Sequence, residues 1–176
     1  MAEMERVRVR ERPAPDDDPY ERTLKYRREL AERNLLGPVV VKGKDRKTLV
    51  MRQGRIKCLL EPGFYPETPL QMWRVFIHEV RTKSGKHRHQ GGIIIYVLEG
   101  KGYSIVDGER KDWRKGDLVL LPMKPEGVEH QHFNELDADN PAIWVAFIYV
   151  PIIEYLASDL KQEEASPEYL EKQKGG

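Results

Sequence analysis

Gly85-Lys86-His87-Arg88-His89-Gln90-Gly91-Gly92-Ile93-Ile94-Ile95-Tyr96 is the stretch whose reading decides the fold of this 176-residue chain. Successive side chains of an extended strand point to opposite faces, so residues two apart share a face. The imidazoles of His87 and His89 can therefore converge on one ion. His-x-His alone is a weak signal, because pairs at that spacing arise by chance. The downstream run Gly116-Asp-Leu-Val-Leu-Leu-Pro122-Met-Lys-Pro-Glu-Gly127-Val-Glu-His130-Gln-His132-Phe-Asn134 decides the matter.

Taken in order, the two stretches resemble the paired signature of the cupin superfamily. The first motif of that family sets a Gly before His-x-His, a Glu three or four residues on, and a Gly where the strand closes. Here Gly100 closes the strand and Ile93 stands where the Glu belongs, so the usual fourth ligand is missing. Gly116, Pro122, Gly127, His130 and Asn134 match the second motif, with two extra residues between Pro122 and Gly127. The resemblance covers residues 70 to 150 and implies a metal on His87, His89 and His130. Family spacing selects His130, and His132 remains the rival third ligand.

Composition bounds the class. The chain is long enough for one domain with a real core and too short for two ordinary ones. Thirty Lys and Arg nearly balance 29 Asp and Glu, for a net charge of +1, so nothing in the charge draws nucleic acid or a membrane. The single cysteine, Cys58, cannot form an internal disulfide, and the N-terminus carries charges where a signal peptide needs an apolar run. No stretch approaches the roughly 20 apolar residues of a membrane span. The expectation is a cytoplasmic protein.

Along the chain, residues 1–18 alternate Arg and Glu before Pro13-Ala-Pro15 and Asp16-Asp17-Asp18. They offer little apolar surface to offset the entropy of ordering and read as a flexible arm, in which Val7 and Val9 could add an edge strand to a neighbouring subunit. Asp18 as N-cap, Pro19 as first helical residue and Glu21 as capping-box partner predict a helix over 19–35, ended by Gly37-Pro38. Strand-like runs follow at Val39–Val41, Thr48–Met51, Ile56–Leu60, Leu70–Val80, Ile93–Leu98, Tyr103–Val106, Leu118–Leu121 and Ala142–Val150. Turn signals such as Asp107-Gly108 separate them. Many short strands with few helices predict a mostly β fold, an antiparallel jelly-roll barrel. The expected organisation is an arm and helix over 1–37, a cupin barrel over 38–151 and a helical, exposed tail over 152–176. His78 reads as a core or interface histidine, because a lone strand His is more often that than a ligand.

Three neutral imidazoles suit Fe(II), Zn(II), Ni(II), Cu(II) or Mn(II) and leave coordination positions open. Without the Glu the ion keeps its full charge, which favours chelating substrates that ionise on binding. His87-Arg88-His89, Val97 to Gly102, Val106 to Arg110, Gly116-Asp117, Pro122 and His130 to Asn134 are together similar to the gentisate 1,2-dioxygenase group. That group also includes salicylate and hydroxynaphthoate ring-cleaving enzymes. The resemblance implies Fe(II) on His87, His89 and His130, a small-molecule substrate chelating through adjacent oxygens, and O2 as co-substrate. It implies a catalytic His132 acting as acid or base beside the metal, and a homodimer, since cupins commonly exchange N-terminal strands.

Two departures bear on the substrate. Members of the group usually carry two cupin domains and place an Arg, used for the substrate carboxylate, on the strand after the His pair. Here there is one domain, and Ile95 stands at that position. A less acidic phenol, a catechol or a 1,3-dicarbonyl compound then fits better than a bare hydroxybenzoate. Trp73, Ile95, Tyr96, Tyr103, Trp113 and Trp144 are candidates for the pocket wall, although aromatic residues fill cores as readily. Strand alternation turns Arg88, Gln90, Glu129 and Gln131 away from the metal. The alternative readings are a metal-dependent sugar or keto-acid isomerase, epimerase or lyase, and a non-enzymatic small-molecule-binding module.

Overall fold

The computed structural model describes residues 18–155 and 157–175. The expected arm, with Val7 and Val9, lies outside the described residues. The chain divides into two units, 1–37 and 38–176. In the first, helix α1 (Pro19–Leu36) begins where the capping signal predicts: the Tyr20 N–H donates to Asp18 Oδ1 at 2.9 Å, and Pro19 fills a position that needs no N–H. None of its residues is buried.

The second unit holds strands β1 (Thr48–Met51), β2 (Gly54–Leu60), β3 (Trp73–Val80), β4 (Lys86–His89), β5 (Ile93–Glu99), β6 (Lys101–Val106), β7 (Glu109–Arg114), β8 (Leu118–Leu121), β9 (Val128–Asn134) and β10 (Ala142–Tyr149). Helix α2 (Val150–Tyr155), strand β11 (Lys161–Glu164) and helix α3 (Pro167–Lys174) complete it. Two antiparallel sheets result, a six-stranded one in the order β1-β2-β3-β10-β5-β8 and a five-stranded one in the order β11-β4-β9-β6-β7. The short link at Gly100 carries the chain from one sheet to the other between β5 and β6. This is the jelly-roll arrangement.

Registry explains how the core forms. Across four neighbouring strands, Phe76, Ala146, Ile95 and Val119 stand in one row, and Arg74, Ile148, Ile93 and Leu121 in the next but one. These inward rows pack with Val80, Val128 and Trp144 into the main core. Each fully buried large aliphatic side chain there stabilises the fold by roughly 1.5–3 kcal/mol. In the five-stranded sheet Gly102 lies opposite Trp113. A Cβ at position 102 would meet the indole at 2.6 Å and the Phe133 carbonyl oxygen at 2.0 Å, so the indole fills the space a side chain would take.

One expectation is corrected. Val39–Val41 forms no strand, and Val39 and Val40 are exposed: three β-branched residues have the propensity but no strand to pair with. The tail carries its expected helices as α2 and α3, and between them a strand that was not expected: Lys161–Glu164 pairs with β4, Gln162 opposite His87, because the free edge of β4 offers a backbone ladder that outweighs the local preference of a charged run.

Candidate metal centre

β4 and β9 run antiparallel with His87 directly opposite His130, and alternation along β4 brings His89 to the same face. Ring centroids lie 4.2 Å apart for His87–His130, 4.8 Å for His89–His130 and 5.5 Å for His87–His89. One nitrogen of each ring lies within 4.8 Å of the other two. Ligands about 2.1 Å from one ion stand about 3–3.5 Å apart, so a small inward turn of the rings suffices to hold it.

The hydrogen bonds set the ring protons. The carbonyl of Gly85 is 3.3 Å from His87 Nδ1 and that of Val128 is 3.1 Å from His130 Nδ1. A carbonyl only accepts, so each neutral ring keeps its proton on Nδ1 and frees Nε2 for a metal. His89 differs. The Gly91 N–H donates to its Nδ1 at 2.9 Å, and its Nε2 is buried with no partner among the described residues. Loading a metal on that nitrogen requires the proton to move to Nδ1 and the Gly91 N–H to turn aside. Gly91 and Gly92, with φ of +85° and +74°, form a left-handed pair able to absorb such a turn.

Burial dominates the electrostatics. It pushes His89 down to about 4, helped by the positive form of His87, and lowers His87 despite the opposing Gly85 carbonyl. His130 and His132 are held well below the ordinary histidine value by burial first and by neighbouring histidines second. The three clustered rings are therefore neutral at pH 7, the form that binds a metal. No carboxylate joins them among the described residues, and Ile93, at the position of the family's Glu, is buried in the core.

His132 stands outside the three-nitrogen cluster. Its Nδ1 is 2.7 Å from Ser104 Oγ, and its ring lies edge-on to Trp144 at 5.1 Å. His78 arrives from the facing sheet, 3% exposed, its ring 4.6 Å from Trp144. Burial pushes it down to about 3. All five histidines of the chain line one cavity of about 390 Å³. His78 is a buried residue outside the cluster, as expected, and its place on the cavity wall beside Trp144 follows only from the β3–β10 pairing.

Apolar side chains, among them Ile56, Phe76, Ile95, Leu121, Trp144 and Ile148, form most of the cavity wall. Arg74 also reaches it but is tied to Glu61 at 2.7 Å. Ile153, Ser158 and Leu160 of the tail add a further wall, anchored by a 2.5 Å hydrogen bond from Ser158 Oγ to Gln90 Oε1. Of the pocket residues expected from sequence, Ile95 and Trp144 are in the wall. Trp73, Tyr96 and Tyr103 are not. Trp73 and Tyr96 fall on the outward parity of their strands, Trp73 packing on Tyr149 at 5.2 Å. Tyr103 stacks on Phe133 at 4.7 Å, beneath the Arg110 guanidinium. Arg88 pairs with Glu129, and Gln131 donates to the Ser84 carbonyl, both away from the cluster.

Two facing antiparallel sheets with three convergent imidazoles in an apolar cavity define a jelly-roll protein with a trihistidine metal-binding geometry. The profile of the cupin domain matches residues 74–148, so this part of the chain is similar to cupin domains. It is similar to a gentisate 1,2-dioxygenase of a Ralstonia species, 26% identical over 126 residues that cover 69% of this chain and 34% of that enzyme. A gentisate 1,2-dioxygenase of a Streptomyces species is 31% identical over 106 residues, 58% of this chain and 28% of the enzyme. The chain thus spans about a third or less of the length of these relatives. The solved salicylate 1,2-dioxygenase of Pseudaminobacter salicylatoxidans shares the fold, with a TM-score of 0.50 and 22% identity over 80% of this chain and 37% of that one.

Proposed function

We propose that this protein is an Fe(II)-dependent dioxygenase that cleaves a carbon–carbon bond of an aromatic or 1,3-dicarbonyl substrate with O2. The observation that carries the reading is the convergence of His87, His89 and His130, joined by no carboxylate among the described residues, in the wall of a largely apolar cavity in a chain similar to gentisate dioxygenases. His87, His89 and His130 would hold Fe(II), which would supply redox chemistry between a chelating substrate and O2. Mn(II), Ni(II), Zn(II) and Cu(II) suit the same three nitrogens.

The chain's own residues orient and select. Phe76, Ile95, Trp144 and Ile148 exclude water from the reacting end and hold an apolar substrate body. Arg74 has its charge answered by Glu61, so a substrate carboxylate gains little there. A phenol, catechol or 1,3-diketone with an apolar body fits this wall better than a hydroxybenzoate. Trp144 packs edge-on against both His78 and His132 and fixes their planes.

Oxygen uptake tests the reading. Protein loaded anaerobically with Fe(II) and mixed aerobically with catechols, hydroxybenzoates and 1,3-diketones consumes O2 in step with substrate loss, and His89→Ala does not. Anaerobic turnover of a sugar or keto acid with Mn(II), Ni(II) or Zn(II) would instead establish an isomerase or lyase.

The same reading includes a homodimer, supported by the outer face of the six-stranded sheet. Val75, Phe147, Ile94 and Leu120 form one outward row across four strands, and Ile77, Val145, Tyr96 and Leu118 a second. Leu118 and Leu120 are 60% and 62% exposed, Ile94 45% and Tyr96 40%. At roughly 200 Å² per large side chain, these rows and Tyr149 leave on the order of 500 Å² of contiguous apolar surface. That is within the range of about 300–600 Å² for the largest apolar patch of a typical monomer, a size that is often functional, and it suits the centre of an interface burying about 800 Å² per partner. Light scattering after gel filtration should report a dimer, and Leu118→Glu with Leu120→Glu a folded monomer. A monomeric parent protein refutes this part.

A further inference from the structure

A buried chain of hydrogen bonds decides which ring nitrogen of His132 carries the proton. The Trp113 indole N–H donates to Ser104 Oγ at 2.9 Å, and Ser104 Oγ lies 2.7 Å from His132 Nδ1. An indole N–H can only donate, so the hydroxyl accepts from it. Ser104 is 0% exposed, and His132 Nδ1 is the only other partner of its hydroxyl among the described residues. The hydroxyl's single proton therefore goes to Nδ1, which must present its lone pair.

We infer that Ser104 is a positioning residue that holds His132 as the neutral tautomer protonated on Nε2, offering that N–H to the cavity as a fixed hydrogen-bond donor for a substrate oxygen. This rests on the proposed reaction only for its use, since the proton placement follows from the relay alone. His132 is then neither the acid nor the base that its sequence position suggests. Its one lone pair is occupied by Ser104, and its one proton faces the cavity. A donor of this kind stabilises negative charge growing on a phenolate or enolate oxygen without surrendering a proton to it.

The competing tautomer would aim the Nδ1–H at a hydroxyl that already accepts from Trp113, leaving the Ser104 proton buried without an acceptor. An unsatisfied buried donor disfavours that arrangement on the order of ten- to a hundredfold. The surroundings leave the relay little room to move. Ser104 faces His132 across the β6–β9 register. The His132 backbone is pinned to Ser84 from both sides, its N–H donating to Ser84 Oγ at 2.9 Å and its carbonyl accepting the Ser84 N–H at 2.8 Å. On β7, Trp113 keeps its place because Gly102 leaves the indole its space.

The test is ¹⁵N NMR of the ring nitrogens in full-length protein loaded with diamagnetic Zn(II), with no substrate present. The expected spectrum has His132 Nδ1 unprotonated and Nε2 protonated throughout pH 6.5–8.5. Ser104→Ala lowers the tautomer ratio by about tenfold or more, so that the Nδ1–H form becomes detectable, and Ser104→Thr restores the single tautomer. A protonated Nδ1 in the parent protein overturns the inference without any variant. So does a Ser104→Ala protein that is folded, binds Zn(II) and shows the parent pattern unchanged. The readout needs neither Fe(II) nor turnover, so failure of the oxygen-uptake assay and failure of the tautomer assignment are separate results.

Discussion

Acid should destabilise the metal-free protein steeply, and His78 isolates one share of the effect. Burial drives this group down to about 3 in the folded chain, whereas an unfolded histidine titrates near 6.5. The unfolded state therefore takes up the proton first as pH falls. Stability is intact above about pH 6.5 and is lost progressively down to about pH 3. Linkage puts the loss from this residue alone at about 2 kcal/mol on going from pH 7 to pH 5, rising towards about 5 kcal/mol near pH 3. The group is 3% exposed, so solvent screening takes little from the figure. His78→Gln removes the titration and keeps a polar side chain of similar reach. Urea unfolding in the presence of a chelator is the assay. With m of about 1–3 kcal/mol/M, the parent midpoint should fall about 1 M further than that of the variant between pH 7 and pH 5. The four other histidines are common to both proteins and largely cancel in the difference. Parallel pH dependence in parent and variant, with equal m, would refute the reasoning.

Gly102→Ala places a Cβ 2.0 Å from the Phe133 carbonyl oxygen, and backbone cannot give way as a side-chain tip can. The expected cost is about 1–3 kcal/mol, read as a fall in Tm of roughly 3–10 °C. Zn(II) at a hundred times its dissociation constant should raise the stability of the parent protein by about 2.7 kcal/mol. His89→Ala removes one of the three converging nitrogens and should abolish that gain, with an affinity loss above roughly 100-fold by competition with a chromophoric chelator. Ser158→Ala breaks the link from the tail wall to Gln90 and should cost about 1 kcal/mol, seen as faster amide exchange in residues 150–160.

The histidine cluster was legible in sequence for two reasons. His87 and His89 need only strand alternation to share a face, and the run from Gly116 to Asn134 resembles a family motif that points to His130, although His130 meets His87 only through the β4–β9 pairing. The parts that were not legible depend on pairings between distant strands. His78 joins the cavity through the β3–β10 ladder, Ser104 meets His132 through β6–β9, and β11 reaches the edge of β4 from the far end of the chain. Residue type did not announce these. Lys161 to Glu164 has no strand propensity, and Ser104 is one serine in an expected strand until its hydroxyl is seen between an indole and an imidazole.

The misplacement of Trp73 and Tyr96 has a different physical origin. An antiparallel sheet with one wet face normally alternates apolar with polar residues, and that alternation is what tells inside from outside in a sequence. On β3, β10, β5 and β8 the alternation is absent: Phe76, Ala146 and Ile95 face the cavity side, while Val75, Phe147 and Ile94 are as apolar on the other. A strand with no polar face gives no parity, so aromatic residues on either side read equally well as pocket wall. The same property that hid the parity leaves rows of exposed leucine, isoleucine and aromatic side chains on four adjacent strands, a face that a second copy would cover. Ambiguity in the sequence and the case for a second copy thus have one cause. Glutamates at positions 118 and 120 would restore the alternation and should dissolve the dimer proposed above, while leaving the histidine cluster on the opposite sheet intact.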